Sequence, residues 1–410
     1  MDISKQIPVT EYYSKLSKDD RKAVKNLNDK RTLQLIPTGS WVIDRLIGDG
    51  SGEFKSGGLP RGHIVEVFGD ESCGKTTLGI SACVEAQRQG LTPVWLDYER
   101  TFHKGYAQKL GLNLSPNKFI FQEPDHFEHG VKLLGDVLRT HPPLIVIDSV
   151  SAMVPMAYLD LASEDPARIG EQARLMSKFL GAMGKYITEY NTCLLFINQL
   201  RAAIKGQYDP GPKEETSGGK ALKYYCSVRI QMMKKEVDYI EEISRITGKK
   251  EKRPNNIKVK VTIKKNKIDK PYYSGPLYIR FGDGFDNITS IIDLAATCNV
   301  IKKSGAFFKF DSGDQTLFNV SGRENLRDFL DKNQKILQTL SSCVKLKVDE
   351  EAKAEGLKDV EDEDVDKVMD MDSVLNSVTK KLDADATPTP ETAAEPAAEP
   401  IKKVKKSAKG

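Results

Sequence analysis

Residues 69–76 read Gly-Asp-Glu-Ser-Cys-Gly-Lys-Thr and match the pattern G-x-x-x-x-G-K-[ST] at every fixed position. An apolar run, HIVEVFG at 63–69, precedes the match, and a helical pattern, TTLGISACVEAQRQG, follows from residue 76. A strand, a glycine-rich turn and a helix N-terminus in this order present backbone N–H groups to phosphate oxygens. The stretch therefore predicts a loop that binds the phosphates of a nucleoside triphosphate.

The fixed positions of this loop each have a chemical reason. Lys75 supplies a positive charge to the β- and γ-phosphates, and the Thr76 hydroxyl is a ligand for Mg²⁺. Glycines permit the tight turn and let the backbone approach the phosphates. The predicted nucleotide-binding residues here are Gly69, Asp70, Glu71, Ser72, Cys73, Gly74, Lys75, Thr76 and Thr77.

Short apolar runs rich in β-branched residues recur through the body of the chain, with helical stretches between them. Besides 63–69, these runs are PVWLDYE at 93–99, LIVIDSV at 144–150 and CLLFINQ at 193–199. Buried strands that alternate with helices indicate an α/β fold, a mainly parallel twisted sheet with helices on both faces.

The pattern changes after residue 220. SVRIQMM, IKVKVTIK and GPLYIRFG follow one another with turns between them, which predicts antiparallel strands that extend the sheet. The charged segment 236–256 is interpreted as a surface excursion. After it, we expect a small α+β unit with helices at 288–298 and 321–342 around a strand, AFFKF.

These boundaries divide the chain into four parts. Residues beyond 349 are rich in acids, Pro and Ala, and cannot bury enough apolar surface to fold alone. The predicted parts are an N-terminal helical oligomerisation unit at 1–36, an ATPase core at 37–286, a C-terminal α+β domain at 287–348, and a disordered acidic tail with a basic end at 349–410.

The net charge of +4 at pH 7 conceals an uneven distribution. Residues 349–400 carry 17 Asp and Glu against 5 Lys, and five more lysines follow in 401–410, so residues 1–348 have a net charge of +11. A basic body with an acidic tail fits a polyanion binder whose tail competes for the basic surface. A tail that only adds solubility fits the charges equally well.

Neither a membrane span nor a signal peptide is visible in the sequence, because no apolar run approaches the 18 or so residues that a span needs. The six cysteines are scattered and form no CxxC pair. This spacing argues against a disulfide framework or a zinc site and favours a reducing cytoplasm.

Polar residues end the apolar runs at what should be the same edge of the sheet. Asp148 follows LIVI in the manner of a Walker B acid and would hold Mg²⁺ beside the loop. Asp97 and Glu99 end the second run, and we choose Glu99 as the base that activates water; a helix-capping role is the alternative. Asn198 and Gln199 end a later run, where an amide could sense the γ-phosphate.

Over about residues 35–345, these elements resemble the bacterial RecA recombinase family in order and spacing. The matching stretches are TGSWVIDRLIG, GGLPRGHIVEVFGDESCGKTTL, DYERTFHKGYAQKLGL, LIVIDSVSAMVP, LLFINQLR, TSGGKALKYYCSVRI, KKNKIDKPYY and FGDGFDNITSIIDLA. The resemblance implies a RecA-like P-loop core and a filament-forming, DNA-dependent ATPase.

Roles for individual ATP-site residues follow from the resemblance. It implies that Glu99 is the catalytic glutamate and that Gln199 links the γ-phosphate to DNA-binding loops. It also implies that Tyr106 stacks on adenine. Lys265 and Lys267 match lysines that reach ATP bound by the neighbouring subunit, where cations would stabilise transition-state charge as an arginine finger does.

DNA-binding residues are implied in the same way, in two loops. The first lies near 157–173 and is followed by Arg174 and Ser177. The second is 200–219, where Arg201, Gly218 and Gly219 match family DNA contacts. Backbone N–H groups of glycines can approach phosphates closely, and long loops of this kind suit a segment that orders on a strand.

The chain departs from the family pattern at several places. Residues 48–56 form an insertion, and Ala203 stands where the family often has a basic DNA-loop residue. Ile288 stands where many members of the family have a second adenine-contacting tyrosine, so that side of the base pocket should be weakened.

The resemblance implies a protein that assembles on single-stranded DNA with ATP and Mg²⁺ and pairs it with homologous duplex DNA in recombination and repair. Loading or mediator proteins are possible partners. Two alternatives remain: a ring helicase on the same fold, and a non-catalytic recombination mediator that binds nucleotide without turnover.

Overall fold

The computed structural model describes residues 16–17, 33–48, 57–159, 166–202, 214–244, 246–312 and 315–357. The chain divides into two compact units, one that ends at Ser290 and one that begins at Ile291. Most of the N-terminal unit, residues 49–56 of the insertion, parts of both predicted DNA loops and the part of the predicted 349–410 tail after residue 357 lie outside the described residues. The sequence-based expectations for those segments stay predictions.

A large mixed sheet forms the first unit. Its parallel part consists of β3 (Ile64–Gly69), β4 (Val94–Asp97), β5 (Ile120–Gln122), β6 (Leu144–Asp148), β7 (Cys193–Ala202) and β9 (Val228–Ile243). The predicted apolar runs are thus strands, and the α/β expectation is confirmed.

Antiparallel strands extend this sheet, as the pattern after residue 220 predicts. They are β10 (Lys250–Asn266), β11 (Ser274–Arg280) and β12 (Gly284–Phe285), while β8 (Glu214–Thr216) pairs with the end of β7. Along the main path of the sheet, the described strands run in the order β12-β11-β10-β9-β3-β7-β6-β4-β5. A separate pair joins β1 (Leu35–Ile36) to β2 (Leu59–Pro60).

Alternate strand residues pack into two apolar clusters, one on each face of the sheet. Val65 and Val67 lie in the first cluster with α2 (Lys75–Arg88), α1 (Trp41–Ile47) and α3 (Lys104–Lys109). Ile145 and Ile147 lie in the second with α4 (Phe127–Leu138) and α5 (Pro166–Glu189). Each fully buried aliphatic side chain stabilises the folded state by about 1.5–3 kcal/mol. Because the sheet is covered on both faces, nearly every strand residue is buried, which explains why the strands are almost continuously apolar. A short helix, α6 (Gly219–Tyr225), precedes β9.

Strands β9 and β10 form a long antiparallel ribbon. The pairing continues from Val228–Asn266 at the sheet to Ile243–Lys250 near the turn, well beyond Met232, where the pairing of β9 with β3 ends. The surface excursion expected at 236–256 is therefore a β-ribbon, whose register shifts between Pro254 and Asn256. Asn255 and Asn256 are buried, but most side chains at 239–243 and 250–254 are exposed, which removes the apolar alternation that marks an ordinary strand.

The second unit holds an antiparallel sheet, β13 (Lys302–Ser304), β14 (Phe307–Ser312) and β15 (Gln315–Ser321), packed with helices. Helix α7 (Asn287–Thr297) lies at the boundary of the units. The helix expected at 321–342 is two helices, α8 (Arg323–Lys332) and α9 (Gln334–Leu357), because the backbone at Asn333 leaves the helical region. None of the helices among the described residues has the length and apolar character that a bilayer span requires.

Asp44 on α1 gives the fold a pH dependence that can be measured. Its side chain is 5% exposed, and Oδ1 accepts the Thr38 N–H at 2.8 Å. Burial raises the pKa of Asp44 to about 7, against the opposing effect of the Thr38 hydrogen bond. Because an unfolded Asp titrates near ~3.9, the folded chain retains the proton, and this stabilising contribution is lost as the pH rises from about 4 through about 7.

We expect Asp44→Asn to reduce this loss. Asparagine stays neutral and keeps an Oδ1 acceptor for Thr38. The decrease in the free energy of unfolding as the pH rises should therefore be smaller in the variant than in wild type, by a few kcal/mol and about 4 at most. The measurement is urea unfolding without Mg²⁺ between about pH 5 and about pH 8. Asp136→Asn, on the exposed face of α4, is the control and should leave the pH dependence unchanged. An unchanged slope in the Asp44 variant would contradict the expectation.

Candidate functional site

The predicted phosphate loop connects the end of β3 to the start of α2. Gly69 lies against β9, where an added Cβ would come within 1.8 Å of the Met232 carbonyl oxygen. Gly74 has φ +91° at the N-cap of α2, and a Cβ there would come within 2.2 Å of Ile279. Both fixed glycines are therefore required by close packing as well as by backbone conformation.

Lys75 and Thr76 occupy the first turn of α2 and project toward the carboxyl edge of the sheet. The Lys75 side chain is 8% exposed, and its Nζ donates to the carbonyl oxygens of Gly69 at 3.1 Å and Asp70 at 2.5 Å. Asp70 in turn accepts the Lys234 backbone N–H at 2.9 Å, which fastens the loop to the ribbon strand β9. The ammonium group is thus held at the mouth of the loop.

The predicted Mg²⁺ ligands lie next to each other. The Thr76 hydroxyl donates to Asp148 Oδ2 at 3.0 Å, and Asp148 is 4% exposed at the end of β6. Burial raises the pKa of Asp148 to about 7, with a further contribution from the negative charge of Glu99, while the Thr76 hydrogen bond opposes the shift. A hydroxyl and a carboxylate at a helix N-terminus form a hard-oxygen donor set, which fits Mg²⁺.

Asp97, the last residue of β4, and Glu99, two residues after it, make different contacts. Asp97 is 1% exposed and accepts the backbone N–H groups of Arg100 and Phe102, both at 3.0 Å, so it shapes the turn after the strand. Glu99 lies at the cavity, where its Oε1 accepts hydrogen bonds from the Ser149 hydroxyl and, at 2.9 Å, from Gln199 Nε2. Neither acid caps the helix that follows, because the His103 side chain accepts the Tyr106 N–H at the N-cap of α3.

A cavity of about 500 Å³ opens beside the phosphate loop. Tyr106 on α3 lines it, and its hydroxyl lies 3.0 Å from Thr77 Oγ1. The predicted residues Glu71, Ser72, Gly74, Lys75, Thr76, Thr77, Glu99, Asp148 and Gln199 also line the cavity, together with Ile197, Ile257, Ile279, Arg280, Phe281 and Gly282.

Phe281 is the only aromatic residue among the cavity-lining residues that sequence reasoning missed. We expected the side of the pocket away from Tyr106 to depend on position 288, but Ile288 does not line the cavity. Phe281, 48% exposed, lies in the FGDG turn after β11 and supplies an aromatic ring to the cavity. The sequence offered one signal for this placement, which is that Phe281 directly follows the predicted strand GPLYIR. An ion pair of 2.7 Å between Lys109 and Asp283 joins that turn to the helix that carries Tyr106.

Lys265 and Lys267 do not line the cavity of their own chain. Lys265 Nζ donates to the carbonyl oxygens of Lys223 at 2.8 Å and Tyr224 at 2.9 Å, in the last turn of α6. Partial burial and then the charge of Lys267 lower the pKa of Lys265. The Lys267 backbone N–H donates to the Ser227 carbonyl oxygen at 2.9 Å. Both lysines thus lie at the end of β10, beside the start of β9, where α6 ends.

Most of the predicted DNA-binding residues lie close together. Arg174 and Ser177 are exposed on α5, and Gly218 and Gly219 begin α6 with positive φ. A Cβ on Gly219 would come within 2.7 Å of Ala173 Cβ, so the glycine pair lies against the helical turn that carries Arg174. Arg201 lies in β7, but its side chain is not among those described.

Comparisons with known proteins agree with this arrangement over most of the chain. The RecA N-terminal domain model matches residues 14–286, and the RecA C-terminal domain model matches residues 289–349. A curated relative from Chlorobaculum tepidum, Protein RecA, is 38% identical over 314 residues, which is 76% of this chain and 83% of the relative. Another from Caulobacter sp., also Protein RecA, is 35% identical over 347 residues, 83% of this chain and 90% of the relative.

Proposed function

The chain belongs to the RecA family of recombination and repair proteins, and we propose that it assembles on single-stranded DNA, hydrolyses ATP there, and pairs the bound strand with homologous duplex DNA. The observation that carries the proposal is the hydrogen bond between Glu99 and Gln199, because it joins the candidate base to the strand that leads into the second DNA loop. A cytoplasmic location and loading or mediator proteins as partners belong to the same proposal.

ATP binding is assigned to the cavity beside the loop. Lys75 provides the cation for the β- and γ-phosphates, and backbone N–H groups at the start of α2 face the same oxygens. Tyr106 provides an aromatic face for the adenine ring of ATP. Thr76 and Asp148 would hold Mg²⁺, which neutralises phosphate charge when bound.

Hydrolysis is assigned to Glu99. Its carboxylate takes a proton from the attacking water, and the hydrogen bonds from Ser149 and Gln199 orient it for that task. Gln199 lines the same cavity, so its amide is available to respond to a γ-phosphate. Lys265 and Lys267 of an adjacent protomer would contribute the remaining positive charge, which makes hydrolysis depend on assembly.

DNA binding is assigned to the surface where α5 meets the start of α6. Arg174 offers a cation for a phosphate, while Gly218 and Gly219 offer backbone N–H groups without side-chain obstruction. These contacts involve the backbone of the nucleic acid and do not require a particular base sequence. That property fits a protein that must act on any pair of homologous strands.

The test measures ATP hydrolysis with and without single-stranded DNA, together with strand exchange between a circular single strand and a linear duplex. We expect ATP turnover to rise about tenfold or more when DNA is added, because Gln199, which binds Glu99, and the predicted DNA contact Arg201 lie on the same strand, β7. Exchange products should require both ATP and homology.

Electron microscopy with a slowly hydrolysed ATP analogue separates the alternatives. Helical filaments on single-stranded DNA are the expected result, whereas closed six-fold rings would favour a helicase. Nucleotide binding without DNA-stimulated turnover would favour a mediator.

A further inference from the structure

Two aromatic side chains from separate segments line the ATP cavity. Tyr106 lies on α3, where its hydroxyl is 3.0 Å from Thr77 Oγ1 on α2. Phe281 lies in the turn 281–283, which connects β11 to β12. A ligand ring in the cavity therefore meets one residue from the helix and one from the turn. The position of the turn relative to α3 sets how closely the cavity encloses that ring.

The start of this turn is fixed to the sheet. The Arg280 side chain donates to Asn255 Oδ1 at 3.0 Å and to Asp286 Oδ2 at 3.3 Å. The Phe281 N–H donates to the Asn255 carbonyl oxygen at 2.9 Å, and the Asp283 N–H donates to the Arg280 carbonyl oxygen at 3.1 Å. Because these bonds hold the beginning of the turn on β10 and β11, displacement of the turn is easiest at its tip.

The tip of the turn has a glycine on each side of Asp283. Gly282 has φ +83° and Gly284 has φ +86°, a region of backbone conformation that glycine adopts without steric cost. A Cβ on Gly284 would come within 2.7 Å of Leu110 Cδ2, so the tip lies directly against the end of α3. Lys109 Nζ lies 2.7 Å from Asp283 Oδ1, and the two side chains are 60% and 52% exposed. The contact between the turn and α3 is thus close, but its ion pair is open to solvent.

We propose that the Lys109–Asp283 ion pair is a latch that holds the turn against α3 and so slows the release of a bound adenine nucleotide. Lys109 lies three residues after Tyr106, a spacing that places both on one side of the helix, and Asp283 lies two residues after Phe281. When the pair separates, the tip moves away from α3 and the base leaves the cavity. Neither Lys109 nor Asp283 lines the cavity, so both are positioning residues that act through the two aromatic side chains. This inference rests on the proposed function, because it requires that the cavity binds ATP and its product ADP.

The latch should change nucleotide release and leave the chemical step unchanged. Exposed ion pairs are weak, so the pair should alter the release rate by about two- to fivefold. A contact of this strength opens and closes readily, which suits a nucleotide that is exchanged in every round of hydrolysis. Bound ATP should be hydrolysed at the wild-type rate, because Glu99 is held by Ser149 and Gln199, neither of which belongs to the turn.

Stopped-flow release of a fluorescent ADP analogue, measured without DNA, tests the latch. Lys109→Glu and Asp283→Lys each replace the attraction by repulsion and should raise the release rate by about fivefold. The double variant with both substitutions keeps the net charge and restores the attraction, so its release rate should return to within about 1.5-fold of wild type. Single-turnover ATP hydrolysis on single-stranded DNA should stay within about twofold of wild type in all three variants. Lys104→Glu, at the exposed first residue of α3, is the control for added negative charge and should release the analogue as wild type does.

Salt provides a second measurement that needs no repulsive variant. Lys109→Gln removes the pair without placing like charges together. Its release rate should be about twofold faster than that of wild type at low salt. At about 1 M NaCl the two rates should be equal, because screening weakens the wild-type pair as well.

Thermal melting without nucleotide shows whether each variant is folded. Release from the double variant that is as fast as release from the single variants would overturn the latch. Wild-type release from folded Lys109→Gln at low salt would also overturn it. If the unmodified chain does not bind the ADP analogue, the proposed function itself fails, and the wild-type titration alone identifies that outcome.

Discussion

Lys75→Ala is expected to abolish ATP binding and, with it, strand exchange. The Lys75 ammonium lies buried at the mouth of the loop, within 3.1 Å of the Gly69 carbonyl oxygen, and has no neighbouring lysine that lines the same cavity among the described residues. Each charge-assisted hydrogen bond to a phosphate contributes about 1.5–3 kcal/mol, and Lys75 is assigned to both the β- and γ-phosphates, so losing the group should weaken ATP binding by at least about 100-fold.

The measurement is a fluorescence titration with an ATP analogue, followed by the strand-exchange assay. Lys104→Ala is the matched control, because Lys104 is exposed at the start of α3 and does not line the cavity. A Lys75 variant that binds ATP within about threefold of wild type would contradict the role assigned to Lys75.

Glu99→Gln is expected to separate ATP binding from hydrolysis. The glutamine retains Oε1 as an acceptor for Ser149 and Gln199, so the cavity should keep its shape, but it cannot take a proton from water. Loss of a general base lowers turnover by about 10²–10⁴-fold. The variant should therefore bind ATP and single-stranded DNA, form long-lived filaments, and release phosphate very slowly.

Single-turnover phosphate release measures this effect directly, and DNA-binding titrations with ATP check that assembly is intact. Glu123→Gln is the matched control, since Glu123 follows the neighbouring strand β5, is exposed and does not line the cavity. Near-wild-type phosphate release by the Glu99 variant would remove Glu99 from the base role.

The nucleotide site could be predicted largely from sequence because its main parts are local. The loop, its strand and its helix are contiguous, and close packing against Met232 and Ile279 only reinforces the need for Gly69 and Gly74. Asp148 and Glu99 could be placed together because parallel strands bring their carboxyl ends to one edge of the sheet.

Features that depend on contacts between distant segments were harder to predict. Asp97 and Glu99 both end β4, and only the hydrogen bonds to Arg100 and Phe102 show which one shapes the turn. Phe281 lies far from Tyr106 in sequence, and only the fold places both at one cavity. The ribbon was missed because most side chains of its outer part are exposed, so that part lacks an apolar alternation.

The cross-strand register of the ribbon makes its length adjustable in steps. Glu241 is paired with Lys252 and Glu242 with Glu251, between the sheet and the turn. Because side chains alternate between faces, deleting both of these pairs would shorten each strand by two residues and leave every remaining side chain on its original face. Deleting one pair would reverse the faces of everything beyond it. Variants of the ribbon that keep each side chain on its original face should therefore be shorter or longer by an even number of residues per strand. The same rule applies when the ribbon is shortened in steps or when a tag is inserted into it.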